Sequence, residues 1–118
     1  MARSLKTVNE IHNYVSMVTA AANHHASSVA SIIPYIESAV LMRLNLSNDD
    51  VSIYERNGKL ARTCWVKFGG PPARRWVFSY NYNQQKIDLR KGSIQGNVIF
   101  QFDNSTPISV INAQIANL

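Results

Sequence analysis

VSIYERNGKLARTCWVKF, residues 51–68, alternates apolar and polar side chains on both sides of Asn57-Gly58. A period of two is the pattern of a half-buried strand. Asn-Gly tolerates positive φ at both central turn positions, which predicts a tight hairpin between two antiparallel strands. Upstream the period changes. Val8, Ile11, Val15, Val18, Ala22, Ala26 and Val29 recur at steps of three and four, the signature of one face of an amphipathic helix. Tyr14, Met17 and Ala21 widen that stripe. Thr7 with Glu10 three residues on reads as a capping box, so the helix is expected from Thr7 to the serines at 27 and 28. Pro34 then restarts the chain in a second helix, Pro34 to Arg43, because proline cannot continue the preceding turn. Its apolar side is Ile36, Ala39, Val40 and Leu44.

Downstream the period of two persists. GGPP at 69–72 is a loop, RRWVFSYNY a third strand, KIDLRK a fourth and NVIFQF a fifth. Thr106 before Pro107 reads as an N-cap with proline at the first helical position, and Ile108, Ile111 and Ile115 form the apolar side of a closing helix. The expected fold is α+β over residues 1–118, as one domain. Two N-terminal helices precede an antiparallel meander of about five strands and a C-terminal helix. The helices cover one sheet face.

At 118 residues with 46% hydrophobic composition, the chain can bury a core without disulfides or metal. The lone Cys64 fits a reducing compartment. The start MARSLKTVNE lacks the apolar segment of a secretory signal. The most apolar run, Val29 to Leu46, is broken by Pro34, Glu37 and Arg43 and is too short for a membrane span. A cytoplasmic soluble protein is expected, with no membrane partner. The net charge of +5 is concentrated centrally: residues 51–91 carry nine basic against two acidic side chains. Such asymmetry can attract polyanions, although no basic run exceeds two residues.

Alternation sorts the sheet into two faces. Val51, Ile53, Cys64, Val66, Phe68, Trp76, Phe78, Tyr80, Ile87, Leu89, Val98, Phe100 and Phe102 are expected to face the helices, with Tyr80 and Tyr82 near the margin. The opposite face carries Tyr54, Trp65, Val77 and Ile99 as an apolar island among Lys67, Arg75, Arg90 and other polar residues. An apolar patch rimmed by polar groups marks an interface, and a second copy of the same chain is the expected partner. Lys67, Arg75 and Arg90 would supply anionic contacts.

His24 and His25 are adjacent, so a regular helix points them about 100° apart and no metal chelate follows. Neither metal nor cofactor is expected. His25 sits beside the apolar stripe and is expected to be half-buried and hydrogen-bonded. Glu37 is the one acid in an apolar helix, and a buried carboxylate requires a partner. His24 or His25 would supply it, as a structural ion pair or as acid/base machinery. No nucleophile elbow, P-loop, dinucleotide fingerprint or metalloprotease motif occurs, which favours a non-enzymatic protein.

NEIHNYV and NHHAS in the first helix, PYIESAVLMRL in the second and FDNSTPIS before the last resemble the small α+β proteins carried on bacterial integron gene cassettes. The resemblance implies a bacterial accessory protein, often oligomeric, and supplies no functional residues. The leading expectation is therefore a homo-oligomeric interaction protein, a dimer or higher, using Tyr54, Trp65, Lys67, Arg75, Val77, Arg90 and Ile99. The second is a small-molecule pocket or small enzyme between helices and sheet, lined by Tyr14, His25, Glu37, Trp76 and Tyr80. The third is nucleic-acid binding by the basic sheet face, for which no RNA-recognition signature is present.

Overall fold

A computed structural model of the chain describes residues 2–56 and 59–118. The elements in order are β1 (Ala2–Leu5), α1 (Val8–His25), α2 (Ser27–Ala30), α3 (Ile33–Arg43), β2 (Asp50–Arg56), β3 (Lys59–Phe68), β4 (Arg74–Asn81), β5 (Lys86–Lys91), β6 (Val98–Phe102) and α4 (Ile108–Ala116). All six strands form one sheet in the order β1-β2-β3-β4-β5-β6, and each neighbouring pair is antiparallel. The fold is α+β.

Two elements were not anticipated. β1 pairs with β2, Ala2 opposite Tyr54 and Leu5 opposite Val51, so the sheet has six strands rather than five. ARSL is too short to show alternation, and its partner β2 lies beyond α1, α2 and α3 in the chain. The single turn α2 is the second addition. The Asn57-Gly58 turn lies outside the described residues, while the strands it was expected to join are indeed antiparallel neighbours.

Local chemistry sets the helix boundaries. Thr7 caps α1 by accepting from the Glu10 amide at 3.1 Å, and the Glu10 carboxylate accepts from the Lys6 amide at 3.0 Å. The expected reciprocal cap is thus displaced by one residue on its return side. Pro107 rather than Thr106 is the residue at the start of α4; Thr106 turns its hydroxyl back to accept from the Asp103 amide at 3.0 Å. In FDNSTP, Asp103 also binds Lys86 and Ser105. Asn104 clips α2 in place through the Ser27 carbonyl at 2.7 Å and the Ser31 amide at 3.1 Å. These polar residues close the turn between sheet and helices.

The core lies between the sheet and the helices. Leu5, Ile53, Leu89 and Phe102 from the sheet meet Ile111 and Ile115 of α4, all essentially without solvent exposure. Each such side chain contributes roughly 1.5–3 kcal/mol by leaving water. Arg43 at the end of α3 ties α4 down by donating to the Leu118 carbonyl, with its guanidinium 4.4 Å over the Phe68 ring. The expected inner face is reproduced except at Val98, which is exposed. A register shift between Leu89 and Arg90 places Val98 opposite Arg90 instead of in step with Phe100 and Phe102, and a bulge of this kind re-aims side chains.

Candidate functional site: an apolar cavity under the first helix

The helices do not fill the inner face of the sheet. A cavity of about 550 Å³ separates α1 and α3 from strands β2–β5. Its cause is side-chain size. The second half of α1 presents Val18, Ala21, Ala22 and Ala26, and the sheet opposite presents Cys64, Val51 and Val66. Small residues on both walls cannot meet across the distance that Ile11, Tyr14 and Phe78 hold open. Protein interiors otherwise pack at crystal density with few voids larger than a water molecule, whereas ligand sites run from about 300 to 1,000 Å³.

The wall is apolar with few polar groups. Tyr14 of α1 is 8% exposed and Cys64 of β3 lies beside it. Burial first, then the neighbouring Cys64, raises the Tyr14 phenol far above its usual range. Burial pushes the Cys64 thiol up to about 12; a water-sized molecule reaches it through the cavity, but protein surrounds it otherwise. Both groups are neutral at physiological pH. Met17, His25 and Tyr82 line the cavity and are exposed, which marks its mouth. Tyr82 stacks edge-on against Tyr80 with centroids 4.8 Å apart.

Glu37 also lines the cavity, with a side chain 9% exposed. Its partner is not His24 or His25. His12, 65% exposed, approaches from the first half of α1, with Nδ1 3.1 Å from Oε2 and 3.4 Å from Oε1. A carboxylate only accepts, so His12 Nδ1 carries the hydrogen. The expected pairing fails because α1 and α3 cross near His12, leaving the last turn of α1 beyond reach of Glu37. His25 is exposed rather than half-buried, and His24 stands beside it with ring centroids 6.3 Å apart. Trp76 is also misplaced as a pocket residue: it is buried outside the cavity lining, its Nε1 without a hydrogen-bond partner among the described residues.

On the outer sheet face the expected apolar island is broken. Val77 is 0% exposed, flanked by Trp65 and Arg90 on the neighbouring strands, and cannot touch a partner. Trp65 is half-buried, while Tyr54 and Ile99 are exposed on β2 and β6. Those strands are separated by three others, roughly 19 Å at standard strand spacing. Polar residues occupy the ground between. Asp88, 2% exposed, accepts from Gln101 at 2.8 Å, Asn81 at 3.2 Å and Arg90 at 3.2 Å. Arg90 also donates to the Gly96 carbonyl at 2.8 Å, so its charge is committed inside the chain. Lys67 and Arg75 are exposed there. Lys86 is held by Asp103. Among the described residues no group of three or more His, Cys, Asp or Glu could hold a metal ion, and no helix is long and apolar enough to cross a membrane.

Fold and cavity together define a small α+β protein in which a meander sheet and three helix segments border a half-open apolar chamber. Residues 11–112 match the family model described as "Integron cassette protein VCH_CASS1 chain", and the chain belongs to that family of integron cassette proteins. Membership points to an origin in the bacterial accessory genome. No curated protein matches the chain.

Proposed function

We propose that this protein binds a small, largely apolar molecule in the cavity between α1 and the sheet. The observation that carries the reading is the chamber itself, about 550 Å³ bounded by apolar side chains inside an otherwise close-packed core. The side chains bounding that volume lack protein packing partners on its side, contacts that an apolar ligand supplies on binding. The reading favours binding over catalysis, because the hydrogen-bonded pair of His12 with Glu37 directs the carboxylate toward a histidine at the protein surface.

Titration with the neutral fluorophore Nile red tests it. Saturable one-to-one binding with blue-shifted emission is expected, and Ala22→Phe should weaken it by projecting a ring into the chamber. Linear, non-saturating emission, or equal binding by the variant, would refute the proposal.

A further inference from the structure

A hydroxyl in the chamber wall without a protein partner among the described residues says what kind of molecule belongs there. Tyr14 lines the cavity at 8% exposure, and among the described residues its hydroxyl has no hydrogen-bond partner. Its oxygen is open to the cavity, and a ligand that shuts solvent away from it without accepting its hydrogen leaves it unsatisfied at a cost of about 1–3 kcal/mol. The nearest polar group, the Cys64 thiol, is a weak partner. Burial keeps the Tyr14 proton in place, so the phenol is a donor at any physiological pH.

Charge narrows the choice further. Among the described residues no Lys or Arg lines the cavity, and Glu37 is the one carboxylate. Against these residues an anionic head group would be desolvated without a countercharge and held near a like charge, which is strongly unfavourable. His25, the other titratable group of the lining besides the tyrosines and the cysteine, stands exposed at the mouth. Among the described residues a fatty-acid carboxylate finds no countercharge in the interior.

We propose that the occupant is a neutral, mostly apolar molecule carrying a carbonyl or hydroxyl oxygen, and that Tyr14 is the residue that binds this oxygen. The proposal rests on the reading of the chamber as a binding site. It adds the chemical class of the ligand and a specificity residue. Tyr14 selects by the asymmetry of hydrogen bonding: an apolar analogue without the acceptor leaves the phenol unsatisfied when it displaces solvent.

Three fluorescence or competition titrations separate the two levels. The probes are 6-propionyl-2-dimethylaminonaphthalene, its parent 2-dimethylaminonaphthalene without the ketone, and dodecanoate. The wild type should bind the ketone about tenfold more tightly than the parent, the effect of one hydrogen bond. Tyr14→Phe, checked for folding by circular dichroism, should erase that preference, the parent gaining affinity because no phenol is left unsatisfied and the ketone losing its hydrogen bond. Equal binding of ketone and parent by the wild type would overturn the role of Tyr14 and leave the chamber as a binding site; this comparison needs no variant. Dodecanoate binding more tightly than the ketone would overturn the neutral class. Failure of every probe to bind would overturn the chamber as a site, and this inference with it.

Discussion

Ala22→Leu distinguishes an open chamber from a packed core by the sign of its effect. Ala22 is buried on the cavity-facing side of α1. Leucine adds three carbons, which in a chamber with room for them gain about 0.8 kcal/mol each on leaving water. Ordering the longer side chain costs roughly 0.5–1 kcal/mol, and its slightly lower helix propensity costs a few tenths more. The expected net effect is a stabilisation of about 1 kcal/mol, seen as a rise of roughly 4 °C in Tm. In a filled core the same substitution overpacks and destabilises by about 1–3 kcal/mol. Urea unfolding of both proteins, at equal m values, measures the difference directly. A loss of 1 kcal/mol or more in Ala22→Leu would refute the open chamber.

Cys64, with its thiol pushed up to about 12 from 9.0, should react with iodoacetamide roughly a thousandfold more slowly in the native protein than in urea, since the thiolate is the nucleophile; comparable rates would show that the thiol is not buried. Asp88→Ala leaves the Asn81, Arg90 and Gln101 donors without their common acceptor and should destabilise by about 3 kcal/mol, measurable by chemical unfolding. Asp103 is held down to about 2 by its hydrogen bonds to Lys86 and Ser105. Its contribution is therefore full above the ordinary aspartate range near 4 and lost as pH falls toward 2. Asp103→Asn should flatten Tm against pH in that window, and parallel curves for the two proteins would contradict the pairing. If two copies associate through the outer sheet face, Trp65→Glu should reduce the mass measured by light scattering while the fold survives; an unchanged mass would exclude that face.

Much of this architecture is legible in the sequence because it rests on periodicity. The change from steps of three and four before residue 44 to steps of two after residue 51 separates the helices from the meander, and the inner face follows by alternation. What escaped depended on relations between distant elements. Glu37 announces a buried carboxylate needing a partner, yet it is the first half of α1 that meets it, which gives it His12 and not His25. Val77 alternates onto the outer face as expected, but Trp65 and Arg90 from adjacent strands shut it away. The chamber had a visible signal in the small residues from Thr19 to Ala22 on α1. Its volume, however, is decided by how far the larger side chains prop helix and sheet apart.

The carboxylate of Asp88 has a consequence for misfolding. Were β5 to slip by one position against β4 and β6, Asp88 would swing into the hydrocarbon interior and Leu89 out into water. With donors waiting for it on β4 and β6, Asn81 and Gln101, Asp88 favours the correct alignment as the one in which its charge is accommodated. Ile87, Tyr80 and Phe78, which wall the chamber from the other side of the same strands, inherit their positions from that alignment. Substitutions on the solvent side of the sheet can thus reshape an internal volume whose lining they never touch.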